Sequence, residues 1–220
     1  MSVHQERSRS ADRRVRVQGS PVDSCPAPPP EAERGSVRRI TVVGEEVLSR
    51  PCREVTEFGT SELSALIDDM FLTMHVADGA GLAANQVGVD LRLFVYDCPD
   101  EEGIRHVGHL INPVLELPDP GSRRLVDDVE GCLSVPGATM AVPRTDRAVV
   151  RGFDKDGRPL VIEGWGYFAR CLQHETDHLI GHTYLDRLSK RDRKDALRQM
   201  EDRREDVFAR RATKAAGLGR

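Results

Sequence analysis

The sequence predicts an α+β protein, with antiparallel sheets packed around a central helix that carries an HExxH motif, and with further helices on the N-terminal and C-terminal sides. Three observations predict this class. A helical pattern fills residues 61–77, several strand-like segments follow, and a second helical pattern spans residues 167–180. Because the strands are grouped between the helices rather than alternating with them, we expect antiparallel pairing.

The first helix is indicated by apolar side chains that recur at i, i+3, i+4 and i+7 intervals. These side chains are Leu63, Leu66, Ile67, Met70, Phe71 and Met74. A stripe with this period faces a core, so an amphipathic helix is expected over residues 61–77.

Four segments have strand-like sequences, namely residues 91–96, 109–117, 148–153 and 159–163. Asn112-Pro113 interrupts the second of them and predicts an edge position or a β-bulge. The Asp-Lys-Asp-Gly sequence at 154–157 predicts a hairpin turn between the last two segments.

Composition indicates a chain that can form a hydrophobic core and that has no membrane partner. Hydrophobic residues make up 39% of the sequence and the net charge is -4, but there is no apolar run of bilayer length and no signal-peptide pattern near residue 1. The 5 cysteines show no paired spacing, which favours a reducing compartment. The expected location is cytoplasmic, while the oligomeric state stays open.

The N-terminal segment, residues 1–36, differs from the remainder of the chain. It combines scattered arginines with a proline-rich stretch after Cys25 and has few large apolar residues, so a disordered tail is expected. Its acidic residues, Glu6, Asp12 and Asp23, argue against an organellar transit peptide.

The segment His174-Glu175-Thr176-Asp177-His178 is the main chemical signal. Histidines four residues apart lie on one face of a helix, where both rings can bind one divalent metal beside the intervening glutamate. Tyr167 and Cys171 continue the same stripe, so this face is expected to be buried. The alternative is a solvated helix that carries the motif by chance.

A third protein ligand decides which chemistry such a metal performs, because a catalytic ion usually keeps a fourth position for water. Tyr184 stands where one protease family has its third histidine, and Glu201 and Glu205 lie in a highly charged stretch. Cys132, in a Gly131-Cys132-Leu133 turn, is the better candidate, although a free cysteine is more often a small buried side chain.

Three segments in this order resemble the motifs of the peptide deformylase family. They are Gly79-Ala80-Gly81-Leu82-Ala83-Ala84-Asn85-Gln86, Glu130-Gly131-Cys132-Leu133-Ser134 and Gln173-His174-Glu175-Thr176-Asp177-His178. The resemblance covers about residues 38–190. It implies a catalytic domain over residues 37–190 that removes the N-formyl group from the formyl-methionine of newly synthesised polypeptides.

The resemblance also implies a metal set. Cys132, His174 and His178 would hold one divalent ion per chain. Fe(II) is the expected ion, and Zn, Ni or Co could substitute for it, because this donor set does not select among these metals.

Two kinds of catalytic group are implied by the same resemblance. Glu175 would take a proton from water, while the Gln86 amide and the Leu133 backbone N–H would donate to the developing oxyanion. Glu130 and Arg144 are expected to pair behind the Cys132 turn.

The substrate is expected to contact Gly79, Ala80, Gly81, Arg170 and Cys171. Glycines allow a peptide backbone to approach closely, and an extended substrate can pair with such a segment as an added strand. Many relatives carry an aliphatic residue at the position of Arg170. The expectation is that its stem lies on the pocket wall and its head in water.

The C-terminal segment, residues 191–220, is expected to be a charged helical extension. The simpler interpretation is a helix exposed to solvent without a partner. The alternative hypothesis is that its basic side chains contact ribosomal RNA. Two other functions remain possible on the sequence: an HExxH metallopeptidase, and a non-catalytic metal-binding module.

Overall fold

The computed structural model describes residues 12–219 and confirms the α+β class. The helices are α1 (Pro30–Arg34), α2 (Ser61–Val76), α3 (Gly166–Leu179) and α4 (Lys190–Gly217). The strands are β1 (Arg16–Val17), β2 (Ser20–Pro21), β3 (Gly81–Ala83), β4 (Leu93–Pro99), β5 (Arg105–Glu116), β6 (Leu125–Cys132), β7 (Val135–Thr145), β8 (Arg147–Phe153) and β9 (Pro159–Trp165).

The main sheet is built around the long strand β5. On one side it pairs antiparallel with β4, which in turn pairs with the edge strand β3. On the other side it pairs with β1 in parallel near its start and with β8 antiparallel near its end, and β9 lies outside β8. β6 and β7 form a separate two-stranded hairpin.

The predicted irregularity in β5 is a change of register between Ile111 and Val114. Asn112 lies there with φ of +50°, a backbone conformation that asparagine tolerates better than most residues. Its side-chain amide accepts from the Val55 N–H at 2.9 Å and donates to the Val55 carbonyl at 2.8 Å. The bulge therefore ties the sheet to the segment that precedes α2.

α2 begins after Thr60, whose side chain accepts from the Leu63 N–H. The apolar positions predicted for this helix are all buried against the sheet. The helix ends as Asp78 takes a left-handed φ of +54°. The chain then enters β3 through Gly79 and Ala80, which places this loop beside α3.

α3 is buried on nearly all sides, more completely than a single apolar stripe predicts. All residues from 168 to 179 are buried. Phe168, Ala169 and Leu172 pack against the main sheet, while the histidines lie on the side of the β6–β7 hairpin. A helix in this position must satisfy its polar side chains internally, and this requirement shapes the site.

α4 is charged, but its inner face packs on the β6–β7 hairpin. Ser189 caps its start, and Ala196, Leu197 and Met200 lie in one apolar cluster with Val142 of β7. The segment expected to be an extension is thus docked on the hairpin. Within residues 12–219, no helix combines the length and apolar character needed to cross a bilayer.

The N-terminal segment differs from the expected disordered tail over its described part, residues 12–36. β1 and β2 pair with each other and with β5, and α1 packs against α2. Polar contacts hold this segment: Arg105 donates to the Cys25 and Pro26 carbonyls. Val15, Val17 and Ala32 also pack in or against the core, but apolar residues are too few in this segment for composition to indicate the docking. Residues 1–11 lie outside the described residues.

We predict that Gln18→Ala opens this docked segment. The side-chain oxygen of Gln18 accepts from the His109 N–H at 2.8 Å, and loss of such a bond costs about 1 kcal/mol, or roughly a fivefold larger open population. Trypsin cleavage after Arg16 should accelerate by that factor, while Asp23→Asn, which alters only an exposed ion pair with Arg14, should not change it. Equal cleavage of wild type and Gln18→Ala would contradict this docking.

Candidate active site

α3 brings the two motif histidines together on the face that the hairpin covers. Their Nε2 atoms are 3.1 Å apart, and the rings meet edge-on. The Cys132 Sγ atom at the end of β6 lies 3.2 Å from the Nε2 atom of His178. One helix and one hairpin thus supply three ligand atoms to a single point.

The geometry of this cluster fits a metal ion. The three ligand atoms lie within 4.8 Å of one another, and all three residues are buried. Ligands of one tetrahedral ion, at 2.0–2.3 Å from it, lie roughly 3.3–3.6 Å apart. His178 Nε2 lies at nearly this separation from the other two atoms, at 3.1 and 3.2 Å. Burial and the neighbouring His174 hold the pKa of His178 well below its usual value, so this ring is neutral and able to ligate.

The Cys132 sulfur is placed by the turn of the hairpin. The β6–β7 register shifts between Gly131 and Cys132, so that Cys132 lies opposite Val135. The Ser134 N–H points at the sulfur from 3.4 Å and the Gln86 amide nitrogen from 3.5 Å. These two donors hold the sulfur where it faces the histidines.

Glu130 links the hairpin to the first histidine. Its Oε1 atom lies 2.6 Å from His174 Nδ1, which leaves Nε2 of that ring to face Cys132 and His178. Arg144 of β7 donates to both carboxylate oxygens, at 2.6 and 3.0 Å. Burial acts to raise the pKa of Glu130, but the bonds from His174 and Arg144 outweigh it and hold the pKa well below its usual value. A charged carboxylate behind a ligating histidine orients the ring and increases its basicity.

Arg144 extends this network back to α3. Its Nη1 atom donates to Asp177 at 2.6 Å, and Arg187 donates to both oxygens of the same carboxylate at 2.6 Å. Sequence reasoning gave Asp177 and Arg187 no role. The available signal was an aspartate inside a helix expected to be buried, since such a charge requires a partner.

Arg170 departs from the expectation that its head reaches water. Its side chain is buried, and Nη1 donates to Glu130 at 2.9 Å and to the Val142 carbonyl at 2.7 Å. Nη2 donates to the Val126 carbonyl at 2.9 Å. The guanidinium binds one carboxylate and two strand carbonyls in the interior. With His174 and Arg144, Arg170 is therefore the third side chain that contacts Glu130.

Glu175 is buried beside the cluster of Cys132, His174 and His178. Its Oε2 atom has no hydrogen-bond partner in the part of the chain that the structure describes, and burial raises its pKa to about 7. A Cβ atom at Gly81 would lie 2.8 Å from the Glu175 Cδ atom, so only glycine leaves room for this carboxylate. A group with this pKa and an unused oxygen is suited to proton transfer near neutrality.

The predicted oxyanion donors lie close to the sulfur. Gln86 accepts from the Ala83 N–H through Oε1 at 2.8 Å, which directs its NH2 group towards Ser134 and Cys132. Leu133 is at the tip of the hairpin and lines the same cavity as Gln86. An added Cβ at Gly79 would lie 2.7 Å from Leu133 Cδ1, so a larger residue there would displace the Leu133 side chain.

A cavity of about 380 Å³ opens onto the cluster. Eleven of the thirteen predicted site residues line it: Gly79, Ala80, Gly81, Gln86, Glu130, Cys132, Leu133, Arg170, Cys171, His174 and Glu175. His178 and Arg144 are not among its walls. His178 completes the Cys–His–His cluster, and Arg144 donates to Glu130.

Other wall residues had no predicted role, and the alternative ligands lie elsewhere. Val129 and Tyr167 add apolar surface, and three residues of α4 also line the cavity: Val207, Arg210 and Arg211. No sequence signal placed α4 at the cavity, because this contact depends on how the helix crosses the hairpin. Glu201 and Glu205 have exposed side chains that pair with Arg204.

Comparison with known proteins gives a consistent result. A model of the polypeptide deformylase family matches residues 37–194. Peptide deformylase 1 of Streptomyces avermitilis is 59% identical over 77% of this chain and 78% of its own length. Peptide deformylase 2 of Streptomyces coelicolor is 51% identical over 76% of this chain and 90% of its own length.

Solved structures show the same fold. The crystal structure of peptide deformylase from Ehrlichia chaffeensis in complex with actinonin has a TM-score of 0.69 and 40% identity, over 76% of this chain and 98% of that one. The peptide deformylase of Thermus thermophilus has a TM-score of 0.64 and 39% identity, over 81% and 99% of the two chains. The sequence match over most of the chain and the shared fold together show that this chain belongs to the peptide deformylase family.

Proposed function

We propose that Cys132, His174 and His178 hold one divalent metal, and that Glu175 moves the proton when the chain releases formate from formyl-methionyl peptides. As a member of its family, the chain is an enzyme that removes the N-formyl group from nascent peptides. The observation that carries the residue assignment is the convergence of three buried ligand atoms beside a carboxylate with an unused oxygen.

A metal held by these ligands supplies a water molecule of lowered pKa. Glu175 lies next to His174 in the helix and lines the same cavity. Its carboxylate accepts the proton of the attacking water and later delivers it to the departing amine, as one positioned acid–base group can do in both steps. Gly81 keeps the space into which this carboxylate turns.

The formyl oxygen becomes negative as the carbon turns tetrahedral, and it needs donors that carry no competing charge. The Gln86 NH2 group and the Leu133 backbone N–H serve this purpose in the proposal. Gln86 is held by the Ala83 N–H and by Ser134, so its amide is oriented before substrate arrives. Preorganised donors of this kind contribute more than donors that must rotate into place.

The substrate backbone is proposed to lie along β3. This strand is at the edge of the main sheet, where an extended peptide can add as a further strand. The methionine side chain is proposed to enter the part of the cavity lined by Val129, Tyr167 and Cys171, which offers apolar surface. Arg170 also lines the cavity, and its guanidinium donates to Glu130.

Fe(II) is the proposed ion, with Zn, Ni or Co able to replace it. One thiolate and two imidazoles suit each of these ions, so the donor set alone does not choose. Thiolate oxidation at Cys132 would end binding, and we therefore expect activity to decline under oxidising conditions.

The direct test is formate release from formyl-Met-Ala-Ser by protein purified without oxygen and loaded with Fe(II) or Ni(II). Release should require metal and stop on chelation, and the deformylated peptide should stay intact. Glu175→Gln should keep the metal but lower kcat by about 10²–10⁴-fold, because the proton acceptor is lost. Cys132→Ser should instead lower the metal content.

Glu163→Gln, which alters an exposed ion pair with Arg147, is the matched control and should retain full activity. Near-full activity of Glu175→Gln would contradict the proton role. Cleavage inside an unformylated peptide would indicate a metallopeptidase. A fully loaded protein that releases no formate would indicate a non-catalytic metal-binding module.

We further propose a cytoplasmic location and a ribosome contact through the outer face of α4. Nascent formylated chains are presented at the ribosome, and basic side chains bind RNA by neutralising phosphates. Lys190, Arg191 and Arg198 are exposed on the first half of the helix. Deletion of α4 would be a poor test, because its inner face packs on β7.

Substitution of Lys190, Arg191 and Arg198 by glutamate should weaken binding to ribosomes and reduce its salt dependence, since three phosphate contacts would be lost. Sedimentation with ribosomes at several salt concentrations measures this effect. Formate release from a short peptide should be unchanged, which excludes misfolding. Ribosome binding equal to that of wild type would exclude this surface.

A further inference from the structure

The last turns of α4 form part of the active-site cavity. Val207, Arg210 and Arg211 line it together with Leu133 and Glu175. α4 is thus a wall of the cavity in which the substrate is proposed to lie.

Both rims of the groove hold this end of α4 in place. Arg211 Nη2 donates to the Leu133 carbonyl at 3.1 Å, and Arg203 Nη1 donates to the Gly137 carbonyl at 3.3 Å, both on the hairpin side. Lys214 donates to the His75 carbonyl at 2.6 Å and pairs with Asp78 on the opposite side. These contacts hold this part of the helix on both sides of the cavity.

The charges at this end of the cavity are not balanced. Asp78 is paired with Lys214, and Glu130 is paired with Arg144 and Arg170. Glu175 is buried beside the Cys–His–His cluster. The acidic groups of the wall are therefore either engaged or withdrawn, which leaves the two adjacent guanidiniums of α4 as a positive surface.

Those two guanidiniums also have unused donors. Arg210 is exposed and has no ion-pair partner between residues 12 and 219. The Nε atom of Arg211 is buried, and within the same residues it has no hydrogen-bond partner. A buried donor without a partner is uncommon in a folded protein, and at a cavity wall it indicates a position that a ligand can fill.

We propose that Arg210, supported by Arg211, binds a carboxylate of the substrate downstream of the formyl-methionine, so that the enzyme prefers peptides with an acidic group there. This inference rests on the proposed function. A planar guanidinium with several donors matches a carboxylate in shape and charge. Two sources share that chemistry, an Asp or Glu side chain and the free C-terminus of a short peptide.

The test compares kcat/KM for four peptides: formyl-Met-Ala-Asp-amide, formyl-Met-Ala-Lys-amide, formyl-Met-Ala-Ser-amide and formyl-Met-Ala-Ser with a free carboxylate. Wild type should favour the Asp peptide over the Lys peptide by about fivefold, the scale of an exposed ion pair, and the preference should shrink in high salt. Arg210→Glu should reverse the preference through KM.

Lys194→Glu is the matched control. It changes the net charge by the same amount and lies on the same exposed helix, about 24 Å away at 1.5 Å per residue. It should leave the preference among the four peptides unchanged. Preference for the free acid over the Ser amide, without preference for Asp, would assign the site to the peptide C-terminus.

Equal kcat/KM for the Asp and Lys amides together with no gain for the free acid would overturn the inference, as would a Lys194→Glu variant that behaves like Arg210→Glu. The Ser amide distinguishes a failure of the carboxylate site from a failure of the proposed function. If wild type hydrolyses it while showing no charge preference, the proposed function stands and the carboxylate site falls. If loaded wild type hydrolyses none of the four peptides, both fall.

Discussion

The buried ion pair between Glu130 and Arg144 is the interaction on which the site depends. It joins the strand that carries Cys132 to its hairpin partner, and through His174 and Asp177 it joins both strands to α3. Loss of one partner from a buried pair typically costs about 3–5 kcal/mol, because the remaining charge stays desolvated. That cost is a large share of the roughly 5–15 kcal/mol that stabilises a domain. The ligand geometry and the fold therefore share one set of contacts.

This network also explains how a helix as polar as α3 can lie in the interior. Its histidines, Glu175 and Asp177 would be costly to bury alone. The hairpin supplies Arg144 to Asp177 and Glu130 to His174, whereas Glu175 alone keeps a carboxylate oxygen without a partner among the described residues. Among the described residues, His178 Nδ1 is the other polar side-chain atom of α3 that is buried without a partner. The hydrogen bonds around Glu175 hold its neighbours in place, and its free oxygen is suited to acid–base function.

The sequence predicted much of this arrangement because its signals were local. Helical periodicity located α2 and α3, the Asn112-Pro113 pair located the bulge, and the three motifs named the residues that converge on the cavity. Long-range packing was not accessible in the same way. The burial of Arg170 depends on carbonyls of two strands. The docking of residues 12–36 depends on contacts that include a hydrogen bond to β5. The entry of α4 into the cavity depends on the angle at which it crosses the hairpin.

If the charge of Glu130 organises Cys132, His174 and His178 as proposed ligands, its removal should weaken metal binding. The most direct measurement is the metal dissociation constant of Glu130→Gln by chelator competition. Glutamine keeps the shape and an acceptor for His174 but removes the charge that Arg144 and Arg170 stabilise. We expect the affinity to be about 10–100-fold weaker than that of wild type. Glu116→Gln, which alters an exposed ion pair with Arg151, should bind metal as wild type does. Unchanged affinity in a folded Glu130→Gln protein would contradict the account.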